Sequence, residues 1–432
     1  MTQRGLILYG LTMALILGVG FVQSWNLALT ILNMGLVSAI MALGVNMQWG
    51  YAGLFNTGVM GFVALGGLAT VLVSAQPVQE AWAAGGPRVL VAMLIGAGVI
   101  AGAIQIYRRM AAGLPRTLAV AGWVVAGFWI YRLVRDPAVN AIEAVSPAAT
   151  GYLGGLGLPI LIAWPVGGLL AAGAAWIVAK TALGLRSDYL AIATLGIAEI
   201  IIAILKNEEW LTRGVKNVTQ LPRPVPYEVD LRGQAWISDY AAATGMSPDE
   251  FASVVVKLCY TGLFLVVLVI VLVLAERALN APWGRMMRAI RDNETAAEAM
   301  GKDVKTRHLQ IFVIGSAVIG IAGAMMTTLD SQLTPTSYQP LRYTFLIWVM
   351  VIVGGSGNNW GAVLGGILIW FFWVEVEPIG LWLMDTITAG MPADSAIRAH
   401  LLDSAAHMRL LTMGIILLLV LRFSPRGLLP ER

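Results

Sequence analysis

Residues Trp283 to Arg307 read W-G-R-M-M-R-A-I-R-D-N-E-T-A-A-E-A-M-G-K-D-V-K-T-R, a polar and mostly basic segment between two long apolar segments. Good helix formers occupy its middle, from Glu294 to Met300. Gly301 follows them at the point where a helix commonly stops on a glycine. Basic residues collect on the cytoplasmic side of membrane proteins. The segment therefore predicts a short cytoplasmic helix, held between two membrane spans and available to a soluble partner. A solvated charged loop without a partner is the alternative.

The composition decides the class of protein. Of the 432 residues, 58% are hydrophobic and only 12% are charged, about half the charged share of a soluble protein. Several apolar runs reach the roughly 20 residues needed to cross a bilayer. These runs are continuous, unlike the short alternating segments of an outer-membrane barrel. We therefore predict an all-α, polytopic membrane protein. Its one cysteine, Cys259, excludes an internal disulfide and a cysteine-based metal cluster.

The apolar runs give the expected number of spans. Some are too short to cross alone, so we expect about ten crossings (8–12) with one or two broken or re-entrant segments, in a single transmembrane domain over residues 1–432. The runs lie near residues 5–22, 27–48, 51–74, 89–106, 117–135, 160–179, 189–204, 253–275, 309–329, 342–354, 361–373 and 409–422.

The distribution of charge orients the spans. The loops on the side of residues 276–307 carry more Lys and Arg than acids, and the opposite loops carry more acids. This asymmetry predicts that both termini and the 276–307 loop are cytoplasmic. Residues 205–252 then form an external loop, a candidate docking surface for a binding protein or a plain connector. Residues 75–88 and 136–158 are expected to be external connectors.

The stretch from Met41 to Gly67 combines apolar residues with glycines and amides. Asn46, Gln48, Asn56 and Thr57 lie in it. Polar side chains within a span are costly unless they face protein, water or a ligand, and glycines there permit broken helices that line a cavity. Close packing of helices through small residues is an equal alternative. Asn56 and Thr57 are the better candidates for lining a pathway.

A second polar set lies in the span after Leu183, where Thr194 and Glu199 lie inside the span. A carboxyl group inside a span is a functional-site hypothesis by default. The alternative is a glutamate near the outer interface that reaches towards water or pairs with Lys206, seven residues on and on the same helix face. The sequence leaves both alternatives open.

Near the C-terminus, Val349 to Trp370 contain a further break. Gly357, Gly361 and Gly365 are spaced by four, a pattern that lets two helices meet closely. Asn358 lies in the turn, so we count it as a pathway candidate. These glycines are not a nucleotide-binding fingerprint, because no strand precedes them.

No motif in the sequence supports an enzyme. No G-x-x-x-x-G-K-[ST] phosphate loop occurs, so the chain does not hydrolyse ATP in that manner. Its three histidines give little scope for acid–base catalysis. His400, Asp403 and His407 share one helix face, but an amphipathic helix at the outer membrane surface over residues 393–410 explains them better than a metal. No cofactor, metal or nucleic acid is expected to bind.

The segment E-T-A-A-E-A-M-G at residues 294–301 resembles the E-A-A-x-x-x-G cytoplasmic loop of ABC transporter permeases. The surrounding R-A-I-R-D-N-E-T-A-A-E-A-M-G-K-D-V is similar to the version in the LIV-type permeases, which import branched-chain amino acids, urea or amides. Similar stretches occur at residues 41–67, 183–200 and 354–366, and in the terminal R-F-S-P-R-G-L-L-P.

This resemblance implies a permease subunit of an ABC importer in a bacterial inner membrane, with leucine, isoleucine and valine as substrates. It also implies its partners: a second related permease, two ATPase subunits and an external solute-binding protein. A urea or short-amide permease of the same family remains open, as does a stand-alone secondary transporter that would use Glu199. The candidate ATPase-coupling residues are Glu294, Ala296, Ala297, Glu298 and Gly301. The candidate pathway residues are Asn46, Gln48, Asn56, Thr57, Thr194, Glu199 and Asn358.

Overall fold

A computed structural model describes residues 3–392 and 395–431, without the side chain of Ala406. Within that part the chain is helical and has no strand; its one β-bridge joins Val218 to Leu333. A π-helix at Leu341–Phe345 precedes α15. The α-helices are α1 (Gln3–Val22), α2 (Trp25–Gln48), α3 (Val59–Ser74), α4 (Gln79–Arg109), α5 (Leu114–Glu143), α6 (Ala163–Ala182), α7 (Ser187–Asn207), α8 (Glu209–Thr212), α9 (Glu228–Arg232), α10 (Ala235–Thr244), α11 (Pro248–Asn280), α12 (Pro282–Asp292), α13 (Glu294–Ala299), α14 (Val304–Asp330), α15 (Leu346–Gly354), α16 (Asn359–Thr388), α17 (Ala396–Ser404) and α18 (Met408–Phe423).

The expected all-α, polytopic membrane fold is confirmed. Among the described helices, 9 are long and apolar enough to cross a membrane, and α17 with α18 makes up to 10. The two shorter apolar helices are α3 and the segment Leu341–Gly354. Each adjoins one of the two breaks that the glycine-rich stretches predict: α3 follows the first, and Leu341–Gly354 precedes the second.

Helix α2 lies at the centre of the bundle. It packs against α11, α14 and α16, and nearly every side chain from Asn33 to Gln48 is buried. A helix that is apolar all round belongs in a core. It ends at Gln48, and helical structure resumes only at Val59. We call the intervening residues 49–58 the break.

Glycines bring α3, α6 and α14 into backbone contact. A Cβ atom on Gly66 would overlap the carbonyl oxygen of Gly320 and lie 2.8 Å from the Ala324 nitrogen. A Cβ atom on Gly323 would overlap Val63 of α3. Because no hydrophobic force joins helices in lipid, such close approach is a main source of their association.

Gly66→Ala is therefore expected to destabilise the folded bundle by about 1–3 kcal/mol, the usual cost of overpacking. Gly98→Ala is the matched control, because that glycine also lies in an apolar helix but has no atom within 4 Å of a built Cβ. Thermal unfolding in detergent should show a lower midpoint for the first variant alone. Equal midpoints would contradict the packing described here.

The glycine stripe near the C-terminus packs α15 on α16, as its spacing predicts. A Cβ atom on Gly361 would lie 2.7 Å from the Gly354 oxygen, and one on Gly365 would overlap the Met350 oxygen. Gly355 and Gly357 adopt positive φ values of 119° and 78° in the intervening turn. The chain therefore reverses tightly between these two helices.

Helix α16 is longer than the apolar run at 361–373 predicts. It continues to Thr388 through Glu375, Glu377 and Pro378. Glu375 accepts a hydrogen bond of 2.8 Å from Gln23, in the turn after α1, and Glu377 pairs with Arg409 of α18. Charged groups in a span are tolerated when they are paired inside the bundle.

The prediction that residues 75–88 and 136–158 are connectors is partly wrong. Much of the first range belongs to α4, which includes Pro87, and the start of the second belongs to α5, which includes Pro137. These two helices form a hairpin that packs mainly on itself. A small apolar cluster that includes Ile142 and Leu153 holds the open end of the hairpin, where α4 begins and α5 ends, to the bundle. The rest of the hairpin exposes large apolar side chains, as a lipid-facing element does.

Candidate functional site

The amides at the break hydrogen-bond to one another and to α14. Gln48 donates from Nε2 to the Phe312 oxygen and to Ser316 Oγ, both at 2.9 Å. Its Oε1 accepts a hydrogen bond of 2.9 Å from Asn56 Nδ2. The Asn56 Oδ1 accepts one of 2.9 Å from the Gly58 nitrogen. Both ends of the break are thus braced by two side chains.

Helix α7 and the segment around α15 satisfy the backbone of the break. The Thr57 nitrogen donates to Thr194 Oγ1 at 3.1 Å, and Thr57 Oγ1 donates to the Ala191 oxygen at 2.6 Å. Trp348 Nε1 donates to the Asn56 oxygen at 2.9 Å. Irregular backbone at membrane depth is tolerated only when protein or water pairs its polar groups.

Asn46 connects α2 to the turn between α15 and α16. Its Oδ1 accepts from the Gly357 nitrogen at 2.9 Å, and its Nδ2 donates to Asn359 Oδ1 at 3.0 Å. Asn359 in turn donates to Glu276 Oε1 at 3.1 Å. The neighbouring Asn358 caps α16 by accepting from the backbone nitrogens two and three residues on.

The predicted pathway residues fall into two groups. The structure brings Asn46, Gln48, Asn56, Thr57 and Thr194 together around the break, with Asn358 in the adjoining turn. The first three are completely buried, so in this state their side chains hold the break together. That they also line a pathway in another state of the bundle stays a prediction.

Glu199 lies apart from this network. It is exposed on the outer face of α7, and the part of the chain that is described shows no ion pair between it and Lys206. Gly196, one turn earlier, is also exposed, with no atom near a built Cβ. This face of α7 is therefore free for lipid or for a second subunit.

Asn56→Ala is expected to lower the stability of the bundle by roughly 1–3 kcal/mol, because it leaves Gln48 Oε1 and the Gly58 nitrogen buried without partners. Hydrogen bonds between membrane helices average only about 0.6 kcal/mol, so a loss above that value reports the unpaired groups. Asn207→Ala is the control, since that exposed amide bonds only to Ala203 of its own helix. Thermal unfolding in detergent measures both, and equal midpoints would argue against the bracing role.

The segment from α12 to α14 forms the expected short helix. Asn293 caps α13 by accepting a hydrogen bond of 2.9 Å from the Ala296 nitrogen. Gly301 adopts a φ of 76° after the helix, and the Lys302 nitrogen bonds to the Ala297 oxygen at 3.1 Å. This is the glycine-terminated helix end that the sequence predicts.

Most of α13 faces solvent. Ala297 is its one buried residue and packs with Ile290 of α12 and Val304 of α14, so it holds the helix in place. Glu294, Ala296 and Glu298 are exposed, and Met300 just after the helix is 79% exposed. An exposed methionine beside two carboxylates is suited to contact with another protein.

Arg291 of α12 ties this segment to the break. Its Nη1 donates to the Gly50 oxygen and to Glu431 Oε2 of the C-terminal tail at 2.9 Å. Its Nε donates to Asp292 at 3.1 Å. A guanidinium can hold several acceptors in a fixed geometry. Arg291 therefore connects α12, the break and the tail at one point.

Sequence reasoning missed several members of this site: Arg291, Ser316, Trp348 and Asn359. Ser316 and Trp348 lie in apolar runs far along the chain from the break, and nothing local distinguishes them. Asn359 stands beside Asn358, so the same turn pointed to it. Arg291 is one of several arginines in a basic segment.

A family model described as the permease component of a branched-chain amino acid transport system matches residues 136–421, about two thirds of the chain. The chain belongs to this family. The match covers α13, α7 and the turn before α16. No solved structure matches the permease.

Curated relatives agree with this assignment. The permease is 27% identical over 335 residues to the high-affinity branched-chain amino acid transport system permease protein LivM of Escherichia coli, covering 77% of this chain and 69% of the relative. It is 25% identical over 394 residues to the probable branched-chain amino acid transport permease protein LivM of Methanocaldococcus jannaschii, covering 91% and 90%. The second match extends the likeness over most of the permease.

Proposed function

We propose that this permease is the membrane-spanning subunit of an ABC importer that carries branched-chain amino acids into the cell. ATP hydrolysis in two separate ATPase subunits drives it. A second, related permease completes the membrane domain, and an external solute-binding protein delivers the substrate. The membrane is the inner membrane of a bacterium, with both termini in the cytoplasm.

The observation that supports this function best is the connection between α13 and the break. Helix α13 offers an exposed surface whose base is fixed to α12 and α14 by Ala297. A push on it moves α12, and Arg291 carries that movement to Gly50 at the start of the break. Gly50 lies two residues beyond Gln48, whose side chain braces α14. A soluble ATPase that binds α13 could thereby shift the break and the end of α2 at the centre of the bundle.

The supply of energy follows from the sequence. The chain has no phosphate loop, so work must come from another protein or from an ion gradient. The exposed, capped α13 favours a protein. Glu294, Ala296, Glu298 and Gly301 are the proposed contacts with the ATPase, and Ala297 fixes their position.

The common position of the termini supports the proposed orientation. Glu431 of the tail bonds to Arg291 of α12, and Arg4 of α1 lines one cavity together with Arg288 of α12. Both termini therefore lie at the end of the bundle that carries α13. If an ATPase contacts α13, that whole end is cytoplasmic. The polar segment between α7 and α11 is then external and is the proposed surface for the binding protein.

The transport route is proposed to run along the exposed face of α7. Glu199 and Gly196 lie on that face, and the half-buried Thr57 of the break bonds to Ala191 near the start of α7. A carboxylate exposed in a span is stable only beside water or a partner. A second permease packed against this face would enclose a route with Glu199 on its wall.

Two measurements test the proposal. In cells that lack and then regain this chain, uptake of labelled leucine should depend on the chain, whereas uptake of labelled urea should not. The purified permease should also retain a nucleotide-hydrolysing subunit. Urea uptake without leucine uptake would assign the urea or amide branch of the family. Ion-driven uptake by the chain alone in liposomes would replace the ABC importer with a secondary transporter.

A further inference from the structure

A charged cavity lies at the end of the bundle that carries α13 and both termini. Its volume is about 510 Å³, within the range of sites that hold small molecules. Five segments form its walls: the start of α1, the break, the adjoining ends of α11 and α12, the turn before α16, and the C-terminal tail. The charged and polar lining residues are Arg4, Tyr51, Glu276, Asn280, Arg288 and Glu431.

Two arginines in the cavity lining have no acidic partner among the described residues. In the described part of the chain, neither Arg4 nor Arg288 forms an ion pair or a side-chain hydrogen bond. The other basic group nearby, Arg291, is already paired with Glu431 at 2.9 Å. Two guanidinium groups lining one cavity are suited to a carboxylate or phosphate.

The cavity also offers negative charge. Glu276 accepts hydrogen bonds of 3.1 Å from the amides of Asn280 and Asn359, but no described cation pairs with it. Tyr51 of the break lies within electrostatic range of Glu276, Glu431 and Arg288. A ligand in this cavity therefore meets unused charges of both signs, beside the apolar surfaces of Trp360 and Leu429.

This combination selects the class of ligand. A phosphate or an anionic lipid headgroup would gain Arg4 and Arg288 but would face the carboxylates of Glu276 and Glu431. A simple amine would be attracted by the two carboxylates but repelled by Arg4 and Arg288. A zwitterionic α-amino acid satisfies both sets, with its carboxylate at the arginines, its ammonium group at Glu276, and an apolar side chain against Trp360.

We propose that this cavity binds a free α-amino acid with an apolar side chain from the cytoplasm, and that its occupancy slows import. Regulation and access from the cytoplasm rest on the proposed function; binding of the amino acid in this cavity does not. A ligand that joins Arg4 of α1 to Arg288 of α12 fixes α12 to the bundle. Because α12 leads directly into α13, fixing it opposes the movement through which the ATPase would drive transport. Accumulated substrate would thus limit its own entry.

Binding is tested with the full chain purified in nanodiscs. The probes are leucine, 4-methylpentanoate, which lacks the ammonium group, and 3-methylbutylamine, which lacks the carboxylate. Calorimetry should detect leucine and neither half-molecule. Arg4→Gln and Arg288→Gln should each weaken leucine binding at least tenfold. Glu276→Gln keeps an oxygen for Asn359 and should abolish the preference for leucine over 4-methylpentanoate.

The matched control is Arg277→Gln, which makes the same change of charge at the same end of α11 but on an exposed residue outside the cavity lining. It should bind leucine as the parent chain does. Leucine binding that is unchanged in both Arg4→Gln and Arg288→Gln overturns the site. Equal binding of 4-methylpentanoate by the parent chain overturns the assignment to a zwitterion.

Regulation is tested with the complete transporter in vesicles that contain ATP at the cytoplasmic face. Adding leucine at that face should lower the initial rate of labelled leucine uptake severalfold in the parent and in Arg277→Gln, but not in Arg4→Gln. Uptake that is insensitive to internal leucine in the parent overturns the regulatory half. No leucine uptake by the parent, even without internal leucine, instead contradicts the proposed function, and the binding assay still decides the cavity.

Discussion

Arg291→Gln is expected to lower transport about tenfold while leaving the permease inserted in the membrane and associated with the proposed ATPase. The guanidinium joins α12 to the Gly50 oxygen and to Glu431, and glutamine is too short and uncharged to hold both. The ion pair is half-buried, so we expect its loss to cost about 1–2 kcal/mol, between the values for exposed and buried pairs. A coupling energy of about 1.4 kcal/mol corresponds to a factor of ten.

The measurement is leucine uptake and ATP hydrolysis by the same purified complex. Leucine uptake should fall while ATP hydrolysis continues, because the proposed ATPase remains active but its movement is no longer transmitted from α12 to the break. Arg291→Lys should recover part of the uptake by keeping the charge opposite Glu431, although it cannot reproduce the forked geometry. Arg285→Gln is the control, since that arginine on the same helix bonds only to the Asn280 oxygen. Full uptake by Arg291→Gln would remove this residue from the coupling route.

The sequence predicted the fold well because the membrane permits few structures. Every backbone group in lipid must be paired, so long apolar runs become helices. The break between α2 and α3 was predictable for the same reason. Glycines and amides cluster there, and such residues in a span typically interrupt it, pack closely or face a cavity.

The length of α16 shows where such reasoning fails. The apolar run ends before Glu375, and a carboxylate normally ends a span. The structure continues the helix because Gln23 and Arg409 supply partners for Glu375 and Glu377. These partners come from opposite ends of the chain, and no local pattern connects them. Local periodicity predicts a helix, but it does not predict which distant side chain pairs with the charged residues of that helix.

The candidate site was predictable to the same degree. Asn46, Gln48, Asn56 and Thr57 were identified because amides are rare in a span, and the structure groups them around one break. Their role in the described state differs from lining an open route, because their polar atoms are used within the protein. Bracing a break and lining a pathway are compatible if the break changes shape during transport. Whether these side chains brace the break or line a pathway therefore depends on the conformation of the bundle and not on the residue type.

Gly301→Val is expected to uncouple transport from ATP hydrolysis, with uptake reduced at least tenfold. Gly301 has a φ of 76°, a conformation that costs an ordinary L-residue about 1–2 kcal/mol, and a β-branched one is worse accommodated. The end of α13 should therefore unwind, since the Lys302 bond to Ala297 depends on that turn. Exposed Met300 would move with it, and the ATPase would lose part of its contact surface.

Two further variants separate this effect from a general loss of folding. Gly301→Asn should retain most of the uptake, because asparagine tolerates the left-handed conformation. Gly390→Val makes the same substitution at another exposed glycine, in the turn after α16, where φ is outside the left-handed region and no atom lies within 4 Å of a built Cβ; it should transport normally. If Gly301→Val transports as well as Gly390→Val, the shape of α13 is not what the proposed ATPase contacts. If Gly301→Asn fails as completely as Gly301→Val, the glycine is needed for close contact with the partner, and its backbone conformation is secondary.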